Sequence, residues 1–458
     1  MIHNQETLFL LSAVRAAECA SIMGLSNMGK SALLRELCAP SVHSAYLGDR
    51  SADWLFVYID CNLMPERSEQ ALHEVILRNA IESLRRTGAQ ERTGAQAHVG
   101  APDDILARLD RLYEQVIQPS TPIRSPLAFN DAINVLCAGS GRSLVLLFDE
   151  FDDPFGKLDG RTFLNLRAMK DRLAGALTYI TATEQPLSDI RTDREATEFI
   201  ELFSSRMQWL GFLGVADARA VASEFVAENH ATWQDDELDF VVAQAGGHPG
   251  LLQGVLETYK RVAGGAPAST HALAFSVAKP SFEEDAAIRR ECQQLWAQLS
   301  EAERTALIAI AHNESSDEAT TKQLQTKRLV PSGDARDAQP LVGALWTAFI
   351  RRHALIRQRA ERGVRVDIDS GEVFADGRRL EQLTDLEYKL IKFLYARVNK
   401  IVDKYAIVTE VWGEKFIDDV DDARIEKLVS RLRGKLETNA EEPKYLQTVR
   451  GRGYKLIG

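Results

Sequence analysis

The chain has 458 residues, 45% of them hydrophobic and 26% charged, with a formal net charge of −11. A single hydrophobic core stops growing at roughly 250 to 300 residues, so this length implies two to four domains. The acidic balance argues against a surface coated in positive charge, although an average over the whole chain leaves room for one basic face.

Five cysteines, Cys19, Cys38, Cys61, Cys137 and Cys292, are odd in number and form no CxxC. That argues against a disulfide framework or a zinc site and fits a reducing cytoplasm. The early apolar run LFLLSAV has no basic leader and falls far short of the roughly 20 residues that a membrane span needs, so a cytoplasmic protein without membrane contact is expected.

From Lys30 to about Asp189, runs that read as buried strands, CASIMG, LFVYID, SLVLLFDE and ALTYITAT, alternate with helical patterns. This is the layout of a parallel α/β sheet, and a first domain over 1–212 is expected. Between the second and third runs the pentapeptide RTGAQ occurs twice, at Arg86 to Gln90 and at Arg92 to Gln96, and reads as a duplicated surface loop. A helical lid follows over 213–266, broken at Gly246-Gly247-His248-Pro249-Gly250. GGAPAST at 264–270 marks a boundary, and a mostly helical third unit covers 267–355, with Ser300 as an N-cap and Glu301 and Glu303 in the first turn of the helix it opens. RQRAERG leads out of it. The last segment, 364–458, reads as short alternating strands, three helical stretches and a closing hairpin, YLQTVRGRGYKLIG, hence a separate α+β domain.

The stretch GLSNMGKSALLREL places Gly24, Gly29, Lys30 and Ser31 in the pattern G-x-x-x-x-G-K-S, between an apolar strand and a helix. Glycines let backbone N–H groups of Lys30, Ser31 and Ala32 and of the loop before them wrap phosphate oxygens. Lys30 would reach the β and γ phosphates, and the Ser31 hydroxyl would ligate Mg²⁺. The rival explanation is an ordinary Gly-rich turn ahead of a helix. SLVLLFDE ends in Asp149, expected to hold Mg²⁺ through water, and Glu150, expected to polarise the attacking water. Lys30 and Glu150 are thus the catalytic pair. In YITATE, Thr181 and Thr183 are placed to sense a γ-phosphate, though they are equally ordinary strand residues. Arg206 has two readings: an arginine that stabilises transition-state charge in cis or in trans, and, favoured, a solvated surface residue.

Residues 1 to about 262 resemble the AAA+/STAND class of P-loop ATPases, whose helical lid carries a G-x-P turn near the nucleotide. Gly247, His248 and Pro249 match that turn. The resemblance implies ATP or ADP as ligand, with Pro249 packing on the adenine and His248 approaching the phosphates. It also implies that the 267–355 unit is a winged-helix-like linker between nucleotide state and output. Many STAND proteins end the sensor strand with an arginine, where this chain has Glu184, so slow hydrolysis or nucleotide exchange is expected rather than rapid turnover.

In DDARIEKLVSRLRGKLET, Ile425, Leu428, Val429, Leu432 and Leu436 recur at helical spacing as one buried stripe, leaving Arg424, Lys427, Ser430, Arg431 and Lys435 largely outside it. From Ala423 onward nine Lys or Arg face four Glu, a local excess of five positive charges that fits a phosphate backbone. Arg450 and Arg452 sit at the glycine-rich hairpin tip. On charge alone a solvated basic face is the commoner explanation. Residues from about Val364 to Gly458, however, closely resemble the OmpR/PhoB-type winged-helix effector domain. That resemblance implies that Arg424, Lys427, Ser430 and Arg431 face the major groove of double-stranded DNA while Arg450 and Arg452 lie along the backbone or minor groove.

The expected function is therefore a bacterial, ATP-dependent transcriptional regulator. Further partners to test are a second copy of the chain and RNA polymerase. The alternatives are a DNA-anchored motor or defence ATPase and a signalling ATPase whose winged helix binds protein.

Overall fold

The computed structural model describes residues 3–93, 103–263, 271–330, 343–361, 363–366, 372–380, 383–413, 420–437, 439 and 442–457. The boundary stretch GGAPAST lies outside the described residues. The chain divides into two compact units, Met1–Phe349 and Ile350–Gly458. The division falls within the helix Ala344–Glu361, which runs on through most of RQRAERG.

In the first unit, β1 (Ala20–Met23), β2 (Trp54–Asp60), β3 (Ser143–Asp149), β4 (Leu177–Thr183) and β5 (Met207–Trp209) form one sheet in the order β2-β3-β4-β1-β5, paired parallel throughout. All seven residues of β4 and the last six of β3 are buried. This is the pattern of parallel strands covered on both faces, and it explains their unbroken apolar runs. Asp60 pairs with Asp149, and Met23 with Thr183, so the carboxyl ends of β1 to β4 finish along one edge. The fifth strand, β5, is short and begins on the exposed Met207, which is why alternation in the sequence does not announce it.

Aromatic rings fill much of the core beside β3 and β4. Phe151, Phe155, Phe163, Phe199 and Phe203 are fully buried with Tyr179, and the Phe155 and Phe163 rings meet edge to face at 4.8 Å. Each such phenylalanine contributes on the order of 1.5 to 3 kcal/mol through burial. The helix Glu69–Thr93 packs on β2 and continues through the first RTGAQ copy, so that copy is helical and not loop. Alanine, glutamine and arginine favour helix, and one glycine at a cost of about 1 kcal/mol does not end it. The second copy lies largely outside the described residues.

Three helices, Val215–Glu228, Asp235–Ala245 and Pro249–Ala263, follow the sheet. The turn between the last two depends on Gly247, whose φ is 81° and whose carbonyl accepts from the Leu213 N–H at 2.8 Å. After them come helices His271–Glu284, Ala286–Ala297, Glu301–Ala311 and Glu318–Thr326. Ser300 caps the third of these in a reciprocal capping box with Glu303.

The second unit opens with a three-stranded antiparallel sheet of β6 (Val364–Val366), β7 (Val373–Ala375) and β8 (Arg378–Arg379). Helices Asp385–Tyr395, Lys404–Val411 and Asp422–Leu436 follow. A second sheet takes β9 (Ile401–Val402), β10 (Leu446–Val449) and β11 (Gly453–Leu456) in the order β10-β11-β9. The Asp422–Leu436 stripe is buried as expected, with Leu432 at 0% exposure. Two carboxylates knit the unit together. Glu437 accepts from the N–H groups of Tyr445 (2.8 Å) and Leu446 (2.7 Å), and Glu387 accepts from Lys435 Nζ (2.6 Å) and caps Thr384.

A Cβ on Gly247 would lie 2.2 Å from the Leu213 carbonyl oxygen, whereas Gly175, at φ 83°, has open space around it. Gly247→Ala is expected to cost more than about 2 kcal/mol and Gly175→Ala about 1. Equal thermal midpoints for the two variants would contradict this. Burial raises the Glu387 carboxyl, but Lys435 and the Thr384 cap outweigh it and hold the pKa below the usual range. Its contribution is thus present above ordinary carboxylate pKa values and lost as pH falls through the depressed one. Glu387→Gln should speed hydrogen exchange in Asp422–Leu436 at pH 7, and the difference from wild type should close below about pH 4.

Candidate phosphate site and nucleic-acid interface

The Gly24–Ser31 loop leaves β1 between the ends of β4 and β5: Gly24 N–H donates to the Thr183 carbonyl (3.1 Å), and Leu210 N–H, just beyond β5, donates to the Met23 carbonyl (2.6 Å). At Gly29, φ is 92°, a left-handed conformation that a Cβ would strain, and the residue opens the helix Lys30–Glu36. The Lys30 ammonium folds back beneath the loop and donates to the carbonyls of Gly24 (2.6 Å) and Leu25 (3.2 Å). Burial pulls its pKa down, while Glu184, Glu150, Asp152 and Asp149 all act to keep it charged. Ser31 is half-buried and Ala32 exposed at the start of the helix.

Asp149, 1% exposed at the end of β3, accepts from the Tyr58 hydroxyl at 2.6 Å and from Glu150 N–H at 3.1 Å. Burial and that hydrogen bond keep the Tyr58 phenol protonated well above its usual range. Glu150 adopts φ 53°, so the chain turns sharply at the strand end and the side chain stands exposed. Desolvation by the surrounding groups raises its pKa against the opposing pull of Lys30, and Asp149, Asp152 and Glu184 raise it further. A carboxylate whose pKa is raised is a stronger base toward a bound water than an unperturbed one. Lys30, Ser31, Asp149 and Glu150 thus meet at one sheet edge.

The other residues singled out in the sequence fall differently. The Thr181 hydroxyl donates to Ser21 Oγ at 3.0 Å and that of Thr183 to the Gln185 carbonyl at 2.8 Å; both threonines are fully buried, and both hydroxyls serve the fold. Arg206 precedes β5 at the opposite edge of the sheet, where it pairs with Glu18 and donates to Ser12 Oγ at 2.9 Å. It is a tethered arginine at the amino end of β5, whereas the loop leaves the carboxyl end of β1. His248 Nδ1 accepts from the Leu251 N–H at 3.1 Å and so caps the helix that Pro249 begins. Burial pushes the His248 pKa down to about 3, which leaves the ring neutral, with its proton on the unpartnered Nε2. Pro249 stands beside the loop, its Cγ 3.7 Å from where a Cβ on Gly29 would be.

Several contributors carry no sequence signal of their own. His3 Nε2 lies 3.2 Å from the same Cβ position on Gly29, buried and unpartnered. Asp152 accepts from Glu184 N–H at 2.9 Å, and Glu184 in turn accepts from the Ser26 hydroxyl. Gln298 and Glu291, more than 260 residues away in sequence, reach Ser26 and Asn27. Of these residues Asp152 belongs to the acidic run DEFDD and Glu184 stands at the end of the sensor-strand run YITATE, while His3, Glu291 and Gln298 belong to no such run.

In the second unit Arg424, Lys427, Ser430 and Arg431 are all exposed on one helix, opposite the buried stripe. Arg450 and Arg452 are exposed at the β10–β11 tip. Neighbouring cations have structural employment. Arg433 donates to the Leu446 carbonyl and Thr448 Oγ1, both at 2.7 Å, and Lys435 is held by Glu387. The exposed set can contact phosphate and base edges, while Arg433 ties the helix to β10 of the hairpin and Lys435 ties it to the helix Asp385–Tyr395.

Residues 378–456 match the family described as "Transcriptional regulatory protein, C terminal". Over 91 residues the chain is 40% identical to the transcriptional regulatory protein CusR of Escherichia coli and 34% identical to the probable transcriptional regulator ycf27 of Cyanophora paradoxa, covering 20% of this chain and 38% of each relative. The chain thus spans under two fifths of the length of these curated relatives. Among solved structures, the DNA-binding domain of CpxR from E. coli matches at 28% identity, covering 21% of this chain and 91% of that one, with a TM-score of 0.18. The Walker-type ATPase paby2304 of Pyrococcus abyssi matches at 16% identity, covering 76% and 95%, with a TM-score of 0.45. No helix among the described residues is long and apolar enough to cross a membrane. The chain therefore carries, at residues 378–456, the C-terminal domain of the transcriptional regulatory protein family, of the OmpR/PhoB type.

Proposed function

We propose that the chain is an ATP-dependent transcriptional regulator: the first unit binds and slowly hydrolyses ATP, and its nucleotide state controls sequence-specific binding of double-stranded DNA by the second. The observation that carries the reading is the convergence of Lys30, Ser31, Asp149 and Glu150 on one sheet edge, in a chain whose other unit exposes a basic helix and a basic hairpin tip. The residues fit a nucleotide with Mg²⁺. Gly24 and Gly29 supply a loop of close-approaching backbone, Lys30 supplies the cation, and Ser31 and the buried Asp149 supply oxygens for the metal. No cluster of three His, Cys, Asp or Glu among the described residues is arranged to hold a metal alone, so phosphate oxygens would complete its shell. Bound there, Mg²⁺ would neutralise phosphate charge.

Glu150, with its raised pKa, acts as the base that orients and deprotonates water, and Pro249 packs against the nucleotide from the lid. His248, neutral and buried, contributes a hydrogen-bond donor and no charge. In the finer division that this reading adopts, 1–212 is the ATPase core, 213–266 the lid, 267–355 a linker of winged-helix type and 364–458 the DNA reader. A nucleotide can drive such a switch only if it binds the two conformations with different affinity.

Selection of bound fragments from a genomic DNA pool by the full-length protein, run with ATP and with ADP, tests the whole reading. Enrichment of a repeated site whose affinity changes with nucleotide is expected, and only sequence-blind binding in both would overturn it. Lys30→Ala should abolish nucleotide binding, whereas Glu150→Gln should retain it and slow hydrolysis by about 10² or more. On DNA, Arg431→Ala and Arg450→Ala should each weaken binding and reduce the slope of log affinity against log salt by about 0.9 for every phosphate that the variant no longer neutralises.

A further inference from the structure

The phosphate loop is already engaged by another part of the first unit. Inside the loop, the Ser26 N–H donates to Gln298 Oε1 at 2.9 Å, and the Asn27 side-chain amide donates to Glu291 Oε2 at 2.9 Å. Glu291 lies in the helix Ala286–Ala297 and Gln298 directly caps its C-terminal end. The other Glu291 oxygen, Oε1, is buried without a hydrogen-bond partner and faces His248 Nε2 at 3.8 Å, itself buried and unpartnered. Because His248 Nδ1 accepts from a backbone N–H, the proton of the neutral ring resides on Nε2, and a donor therefore points toward this carboxylate.

Space for the carboxylate is built into the lid. A Cβ on Gly250 would sit 2.6 Å from Glu291 Oε1, and one on Gly254 would sit 2.9 Å from Ile288 Cγ1, so two glycines one helical turn apart let the Ala286–Ala297 helix approach the Pro249–Ala263 helix. On the other side of the loop, Glu184 takes the Ser26 hydroxyl. Three donors of Ser26 and Asn27 thus end on two carboxylates and an amide oxygen. These acceptors have the chemistry of phosphate oxygens: oxygen lone pairs, with negative charge at two of the three.

We propose that Glu291 and Gln298 are an internal competitor of nucleotide phosphate, a latch that holds the middle helical segment on the phosphate loop and is displaced when a nucleotide triphosphate enters. The proposal rests on the reading of Gly24–Ser31 as a nucleotide site and adds how that site is regulated. Nucleotide binding breaks the two hydrogen bonds to the Ala286–Ala297 region and frees the segment that leads toward the second unit in sequence. Conversely, anything that holds this helix in place weakens nucleotide binding by the same factor.

Titration calorimetry of the full-length protein with MgATP tests the latch. If Glu291 and Gln298 compete with phosphate, Gln298→Ala and Glu291→Ala should each tighten binding, on the order of 3- to 10-fold, since each removes one internal hydrogen bond that nucleotide must otherwise break. Were they nucleotide ligands, or structural only, affinity would fall or stay unchanged, and either result overturns the latch. Lys30→Ala separates the two ideas. Binding by wild type that Lys30→Ala abolishes, with no gain in the latch variants, leaves the nucleotide site standing and removes the latch. Absence of binding in wild type and in every variant removes both.

Hydrogen exchange gives a readout that does not depend on these substitutions. MgATP should speed exchange in Ala286–Ala297 of the wild-type protein while slowing it in the loop. Unchanged exchange in the helix on saturation with MgATP overturns the proposal.

Discussion

A buried ammonium has to be neutralised, and the architecture of the first unit around the Gly24–Ser31 loop follows from how Lys30 is satisfied. Two carbonyls of its own loop accept from it, and four carboxylates surround it. Those carboxylates come from the ends of β3 and β4 and the turns just beyond them. They can gather there only because β1 lies beside β4, with β3 next in the sheet, all pointing the same way. Parallel pairing therefore does more than build a core: it delivers charged strand ends to one edge, where they balance a single cation. The same crowding sets Asp149, Asp152 and Glu184 against the charge of Glu150, and their repulsion raises its pKa beyond what desolvation alone does.

The second unit uses charge in the opposite way. Several of its acids and bases are consumed internally: Glu387 with Lys435, Glu437 with the backbone that leads into the hairpin, and Arg433 with β10. What remains outward on the Asp422–Leu436 helix is a short cationic row beside a buried stripe. Arg433 holds that row against β10 of the hairpin, and Lys435 holds it against the helix Asp385–Tyr395. A rigid base of this kind is what groove readout demands, because side chains can discriminate base edges only from a defined position.

Much of this could be read from residues alone, and the reasons differ. The β1 to β4 runs were legible because strands buried on both faces have no choice but continuous apolar sequence. The buried Asp422–Leu436 stripe was legible because a half-buried helix repeats at 3.6 residues. The loop was legible because Gly29 must adopt a left-handed φ and Lys30 must be a cation. Side-chain employment was not legible. Nothing in YITATE says that both threonine hydroxyls are used by the fold, and nothing near Arg206 says that it meets Glu18 at the far edge. The helical fate of the first RTGAQ copy also escaped composition, since the preceding helix packs on β2 and carries the segment with it. Contacts such as Ser26 with Gln298 join residues 272 positions apart, and no local pattern encodes them.

The long-range contacts also set the energy scale that the proposed switch would have to meet. Moving a two-state equilibrium from 1:99 to 99:1 needs about 5.5 kcal/mol of differential binding. One neutral hydrogen bond supplies roughly 1 kcal/mol net, and a bond to a charged group somewhat more. Ser26 with Gln298 and Asn27 with Glu291 therefore reach only part of the requirement. The same segment of chain, however, also places Arg328 on Glu6 and the Lys327 ammonium 5.5 Å from the centre of the Trp209 ring, and Gly211 leaves room for the Arg328 side chain to pass. Glu6 sits one helical turn from His3, whose ring lies against Gly29. The middle segment thus grips the parallel-sheet core at two points that converge on one loop. Under the proposed switch their sum, not any single bond, is what a nucleotide would have to overcome, and control would then lie in the packing around Gly29 rather than in the chemistry at Glu150.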